Sequence, residues 1–187
     1  GTGGDRTNTF NISTAAAIVA AACGINICKN GGRSTTSNTG SVDVLEALGL
    51  NLDASLETKV IGLTKHHLAF FSSKVSAELL APVKQICRKH KRSSFISLLG
   101  PLTSPVKLRG QMIGVAREEW LGTMIDTARI MIEESLRTKV LLVHSKVFDS
   151  DLRLDELSSC SSSHIIELVP DYIKELDFDP KSIVIKQ

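Results

Sequence analysis

Gly1-Thr2-Gly3-Gly4-Asp5-Arg6-Thr7-Asn8-Thr9-Phe10-Asn11-Ile12-Ser13-Thr14 opens the chain and runs directly into Ala15-Ala16-Ala17-Ile18-Val19-Ala20-Ala21-Ala22. Glycines reach backbone geometry closed to other residues, so successive N–H groups can converge on an anion. The alanine-rich run has strong helix propensity, and Ser13 and Thr14 are good N-cap residues for it. A helix begun there turns its positive end toward the glycine-rich turn. The stretch reads as a polyphosphate cradle at the head of a helix. A tight structural turn is the alternative that the same residues allow.

Beyond that helix, apolar runs alternate with helical patterns. Gly24 marks the helix end, and Ile25-Asn26-Ile27-Cys28 is a strand candidate. A polar loop from Lys29 to Gly40 follows, then a capped helix from Ser41 to Gly49. A further helix starts near Asp53 or Ser55 and leads to a strand at Leu68 to Phe71. Ser76 to His90 has a helical pattern interrupted by Pro82, and Gly100 to Pro105 reads as a loop or helix break. Gln111 to Val115 is expected as a strand, Glu118 to Leu136 as a long helix carrying Trp120 as a core residue or interface anchor. Lys139 to His144 and Ile165 to Val169 are expected as strands. Such alternation predicts an α/β fold with a mostly parallel central sheet flanked by helices. Ligands in such sheets collect at the carboxyl ends of strands, where the polar loops fall.

Composition narrows the function classes. Apolar residues make up 42% and charged ones 22% of 187 residues, ordinary values for a globular domain with a real core. A net charge of +2 gives no bulk electrostatic reason to expect nucleic acid. No apolar run approaches the roughly 18 residues that span a bilayer. The sequence opens inside a motif, which predicts further chain upstream. Cys23, Cys28, Cys87 and Cys160 show no C-x-x-C pair and no zinc-finger spacing. They read as buried free thiols in a reducing intracellular compartment, the cytoplasm or an organelle matrix or stroma. Arg88-Lys89-His90-Lys91-Arg92 could meet phosphates, but a solvated helix end is the plainer reading. His66-His67 is expected as a surface pair, since neighbouring helical positions do not face each other. His144 and His164 have no partner at ligand spacing.

Several motifs recur in a fixed order: Gly1 to Asp5, Thr9 to Thr14, Lys29-Asn30-Gly31-Gly32-Arg33-Ser34 and Gly40 to Gly49. Further on stand Ala81-Pro82-Val83, Leu98-Leu99-Gly100-Pro101-Leu102-Thr103-Ser104-Pro105 and Leu154-Asp155-Glu156-Leu157. Together, across nearly the whole chain, they resemble the anthranilate phosphoribosyltransferase family, whose fold class includes the pyrimidine nucleoside phosphorylases. Relative to that family, the N-terminal helical domain and the C-terminal helices are absent, so residues 1–187 correspond to a partial phosphoribosyl-pyrophosphate-binding α/β domain. The resemblance implies transfer of a phosphoribosyl group from phosphoribosyl pyrophosphate to the amine of anthranilate, in tryptophan biosynthesis, with magnesium. It places Gly3, Gly4, Asp5, Asn11, Ser13 and Thr14 around the pyrophosphate, with Ser13 also touching the magnesium shell. Lys29 supplies a point charge, and Thr36 and Ser37 supply hydroxyl donors. Asp155 and Glu156 are hard oxygen ligands suited to magnesium on a pyrophosphate. Displacement at the anomeric carbon needs positioning and charge stabilisation, and no general base is assigned.

The acceptor half departs from the family. Asn30 stands where the family usually has His, Gly32 where it has Asn, and Lys84 where it has Arg. Lys keeps the charge but loses bidentate geometry, and Gly32 removes an amide altogether. Phe70 to Lys74 replaces an Ala-Pro-x-His-His stretch, Cys87 to Arg92 carries extra residues, and Arg6 replaces a phosphate-loop glycine. Three readings are compatible with this pattern: a working transferase with an altered acceptor pocket, an inactive descendant serving as a structural subunit of a larger assembly, and a relative that uses another acceptor or binds nucleic acid.

Overall fold

A computed structural model describes residues 9–32, 40–72, 81–82, 96–104 and 106–183. These residues fall into two compact units, one running to Val106 and the other beginning at Lys107.

In the first unit the elements are α1 (Ile12–Ala22), β1 (Ile27–Gly31), α2 (Ser41–Ala47), α3 (Leu56–His66), β2 (Leu68–Ser72) and α4 (Ile96–Leu102). Helix α1 begins two to three residues earlier than expected: Asn11 is its N-cap, and Ser13 and Thr14 lie inside its first turn. Thr14 does not cap the helix, because its Oγ1 is taken up by Ser41 Oγ at 3.1 Å, which ties α1 to the start of α2. Gly24 and Gly49 close α1 and α2 at φ +85°, backbone that only glycine takes up without strain. Asp43 Oδ2 accepts from Gly40 N at 2.8 Å to hold the start of α2, and the Ser55 side chain caps α3 by accepting from Thr58 N. Strands β1 and β2 pair in parallel from Ile27↔Leu68 to Gly31↔Ser72, with α1 and α3 against them. The apolar core gathers Val42, Leu45, Leu52 and Phe70, with Leu68 packed on it. The expected polar loop thus starts later, since Lys29, Asn30 and Gly31 belong to β1. The helix expected from Ser76 to His90 lies mostly outside the described residues; Ala81 and Pro82 within it are helical. The break expected at Gly100 is not there. Helix α4 runs through Pro101, and its last turn is closed by Thr103, whose N and Oγ1 donate to Leu99 O and Gly100 O, both at 3.1 Å.

The second unit contains β3 (Gly110–Gly114), a 3-10 turn at Glu118–Trp120, α5 (Leu121–Glu133), β4 (Lys139–Val147), β5 (Arg153–Leu154), β6 (Ser161–Val169) and β7 (Tyr172–Phe178). The sheet order is β3-β4-β6-β7, with β5 beside β4. Strands β3 and β4 are parallel around the α5 crossover, and the remaining pairs are antiparallel. The α/β class holds, with strand directions mixed where a mostly parallel sheet was expected. Met124, Ala128 and Met131 of α5 are buried, as are Ile113, Val140, Leu142, Ile166 and Leu168 of the sheet. The long helix expected from Glu118 is instead a 3-10 turn followed by α5, which ends at Glu133; Ser135 at φ 55° turns the chain away. Trp120 is half-buried beneath the Arg117 guanidinium, 4.8 Å from its ring centre.

The packing is tightest at Gly114. The Asp155 carbonyl lies so close that a Cβ on Gly114 would sit 1.6 Å from its oxygen. Backbone cannot yield there as a flexible side chain would. Gly114→Ala is therefore expected to cost at least about 3 kcal/mol, read as a fall in the denaturant midpoint; an unchanged midpoint would contradict this contact.

Candidate functional site

The sequence-predicted site residues divide between the two units. Gly3, Gly4, Asp5, Thr36, Ser37 and Lys84 lie outside the described residues, as do Arg6, Cys87 and the basic run Arg88 to Arg92.

In the first unit the structure gathers most of the others. Asn11 starts α1, its carbonyl accepting from Thr14 N at 3.1 Å and Ala15 N at 3.0 Å. Ser13 is half-buried and Thr14 buried in the first helical turn, which carries no acidic residue. That leaves the positive end of α1 uncompensated by an acidic side chain of its own first turn. Thr14 reaches Ser41, and Val42 N donates to Gly32 O at 3.4 Å, so α1, the segment after β1 and the start of α2 converge. Lys29 and Asn30 sit toward the carboxyl end of β1, where a parallel strand pair offers its ligand side. Lys29 Nζ donates to Asn30 O at 2.9 Å. The Asn30 amide has one settled end: Nδ2 donates to Thr103 O at 3.3 Å. Its Oδ1 is shielded from solvent and has no hydrogen-bond partner among the described residues. An unmet buried acceptor is costly, and such atoms are kept where a ligand or ordered water completes them.

In the second unit Asp155 and Glu156 form a turn directly after β5. Asp155 is 6% exposed and Glu156 half-buried. The turn rests on β3 through the Gly114–Asp155 approach and on β4 through Ser145, whose Oγ donates to Glu156 O at 2.7 Å. Ser145 and Ser163 were not singled out in the sequence: Ser145 falls just past the expected end of its strand at His144, and Ser163 stands in the run Ser158 to Ser163, which looks like a polar loop. Gly114 was hidden in an apolar strand pattern. Among the described residues no group of three or more His, Cys, Asp or Glu could hold a metal by itself. Two adjacent carboxylates do fit magnesium, which keeps several waters and binds one or two carboxylates together with substrate phosphates.

The remaining titratable residues have structural places. His67 ends α3 at φ 58°, with Nδ1 2.7 Å from Asn26 Oδ1, and His66 is exposed, as expected for a surface pair. His144 and His164 face each other across β4 and β6. Nδ1 of His144 donates to the Val115 carbonyl at 2.7 Å. The thiols correct an expectation. Cys23, Cys28 and Cys160 are free, but Cys23 and Cys160 are exposed, one just past α1 and the other in the turn before β6. No helix among the described residues is long and apolar enough to cross a membrane.

The whole chain, residues 1–187, matches the family described as "Glycosyl transferase family, a/b domain", and the chain belongs to that family. Within it, the similar proteins share one name. An anthranilate phosphoribosyltransferase of Prosthecochloris aestuarii is 39% identical over 90% of this chain and 46% of its own length. Anthranilate phosphoribosyltransferase 2 of Streptomyces coelicolor is 38% identical over 96% of this chain and 51% of its own. The crystal structure of the Thermus thermophilus anthranilate phosphoribosyltransferase superposes with a TM-score of 0.74 at 31% identity, covering 97% of this chain and 50% of that one. The Saccharomyces cerevisiae enzyme in complex with PRPP and Mg gives 0.74 at 26% identity, over 96% and 47%. The chain spans about half the length of the curated relatives it matches. These relatives lend no support to the subunit or nucleic-acid readings.

Burial raises the Cys28 pKa above the usual thiol value. Less thiolate at a given pH means slower alkylation. With limiting iodoacetamide at pH 8, peptide mapping should find Cys28 labelled after Cys23 and Cys160; Cys28 reacting first would contradict its placement in β1.

Proposed function

We propose that this chain supplies the phosphoribosyl-pyrophosphate-binding part of an anthranilate phosphoribosyltransferase of tryptophan biosynthesis. The observation that carries the reading is the acidic turn Asp155-Glu156, held against two strands by the close approach to Gly114 and by the Ser145 hydroxyl, so that its position is set before any ligand arrives. A relative of the same family has been solved with PRPP and Mg, which supports magnesium here.

In this reading Ser13 and Thr14 offer hydroxyls, α1 offers its positive end, and Lys29 offers a point charge to the phosphates of the donor. Asp155 and Glu156 hold magnesium through hard oxygens. Bound there, the ion would offset the charge that grows on departing pyrophosphate. The bond from the anomeric carbon to the pyrophosphate oxygen breaks, the amine lone pair forms the new carbon–nitrogen bond, and the amine then loses a proton to solvent. Charge separation of that kind is helped most by fixed groups aimed at it. The unpartnered Oδ1 of Asn30 is an acceptor suited to a donor on the incoming amine-bearing ring, and Nδ2 bound to Thr103 fixes which end of the amide is offered. The cytoplasm or an organelle matrix or stroma is the compartment that goes with this pathway and with free thiols.

Anthranilate fluorescence gives the test. The full-length protein with phosphoribosyl pyrophosphate and magnesium should consume the signal, and Glu156→Gln should slow consumption on the order of 100-fold. A constant signal with wild-type protein would sink the reading.

A further inference from the structure

Ser145 and Ser163 are polar residues in places where a sheet core normally holds apolar ones. They are 0% and 1% exposed and stand opposite each other on β4 and β6, with their oxygens 2.7 Å apart. Ser145 Oγ also lies 2.7 Å from Glu156 O. A carbonyl oxygen only accepts, and a serine hydroxyl has a single hydrogen. The Ser145 hydrogen must therefore point at Glu156 O, and Ser163 must donate to Ser145. The chain of donors runs one way, from Ser163 through Ser145 to the backbone of the acidic turn.

We propose that Ser145, oriented by Ser163, is a positioning residue for the Asp155–Glu156 carboxylates. The proposal rests on the reading of that turn as a metal and pyrophosphate site. Its basis is a pair of buried hydroxyls in a sheet core, one donating to the other and that one donating to the backbone of the acidic turn. Groups that orient metal-binding side chains from behind commonly cost 10–100-fold in metal affinity when removed. Ser145→Ala removes the donor to Glu156 O. Ser163→Ala removes only the group that orients Ser145 and leaves the Ser145–Glu156 bond possible.

The experiment titrates Mn2+ into the full-length protein in the presence of inorganic pyrophosphate and follows free Mn2+ by electron paramagnetic resonance. Wild-type protein should take up Mn2+, Ser145→Ala should bind it about tenfold more weakly, and Ser163→Ala should stay within about threefold of wild type. Should Ser145→Ala not fold, Ser145→Cys leaves no void and puts a weaker donor on a slightly larger atom and should lose affinity several-fold. Thermal denaturation of each variant is measured alongside. Lowered melting with wild-type Mn2+ affinity in the Ser145 variants would make the pair purely structural and overturn the proposal. A Ser163→Ala affinity as low as that of Ser145→Ala would overturn the assignment of Ser145 as the group that holds the turn. No Mn2+ uptake by wild-type protein would instead overturn the reading of the turn as a metal site.

Discussion

The close approach of the Asp155 carbonyl to Gly114 is the constraint on which the second unit depends. It lets the chain leaving β5 lie directly on β3 without a side chain between them. From there the acidic turn reaches the neighbouring strand as well, through the Ser145 hydroxyl. Asp155 is 6% exposed, so a firmly held backbone is what keeps this polar residue in its buried place. The Gly114 backbone and the Ser145 hydroxyl, on two parallel strands, supply that hold. The arrangement trades ordinary core packing for a fixed polar turn, as functional sites do when they depart from local rules.

The first unit is built on a different economy. Its helix α1 has no charged residue along its length, and its first-turn hydroxyls are not spent on capping. Thr14 links to Ser41 instead, and Asn11 contributes its carbonyl. The backbone donors of that first turn are the groups a phosphate would meet. Lys29 and Asn30 come from a strand, which places them more rigidly than a loop would. Asn30 is also the residue whose buried Oδ1 has no hydrogen-bond partner among the described residues.

Much of this was legible in the residues. The glycine at the end of α2 and the apolar runs of β2 and β4 were read correctly, because each follows a local rule, and Ser55, one of two starts offered for α3, is its cap. The head of α1 was read from its own glycines, hydroxyls and alanines, and the acidic pair was singled out through spacing shared with a family. Other features were illegible for stated physical reasons. Strand β7 has six of its seven residues exposed, so no burial alternation marks it. Strand β6 begins at Ser161, earlier than expected, because its first buried residues are serines that mimic a loop. Pro101 signalled a break that Thr103 repairs. Gly114 and Ser145 matter through contacts with residues distant in sequence, and a one-dimensional reading has no access to those.

The central claim is that the acidic turn after β5 binds a divalent ion together with a sugar pyrophosphate. Crystals of the full-length protein grown with phosphoribosyl pyrophosphate and Mn2+ test it most directly, because the anomalous signal of manganese locates the ion without assumption. The account predicts a peak about 2.1 Å from a carboxylate oxygen of Asp155 or Glu156, with phosphate oxygens completing the shell. An ordered donor whose manganese lies away from both side chains, or a donor bound with no metal beside the turn, would contradict it.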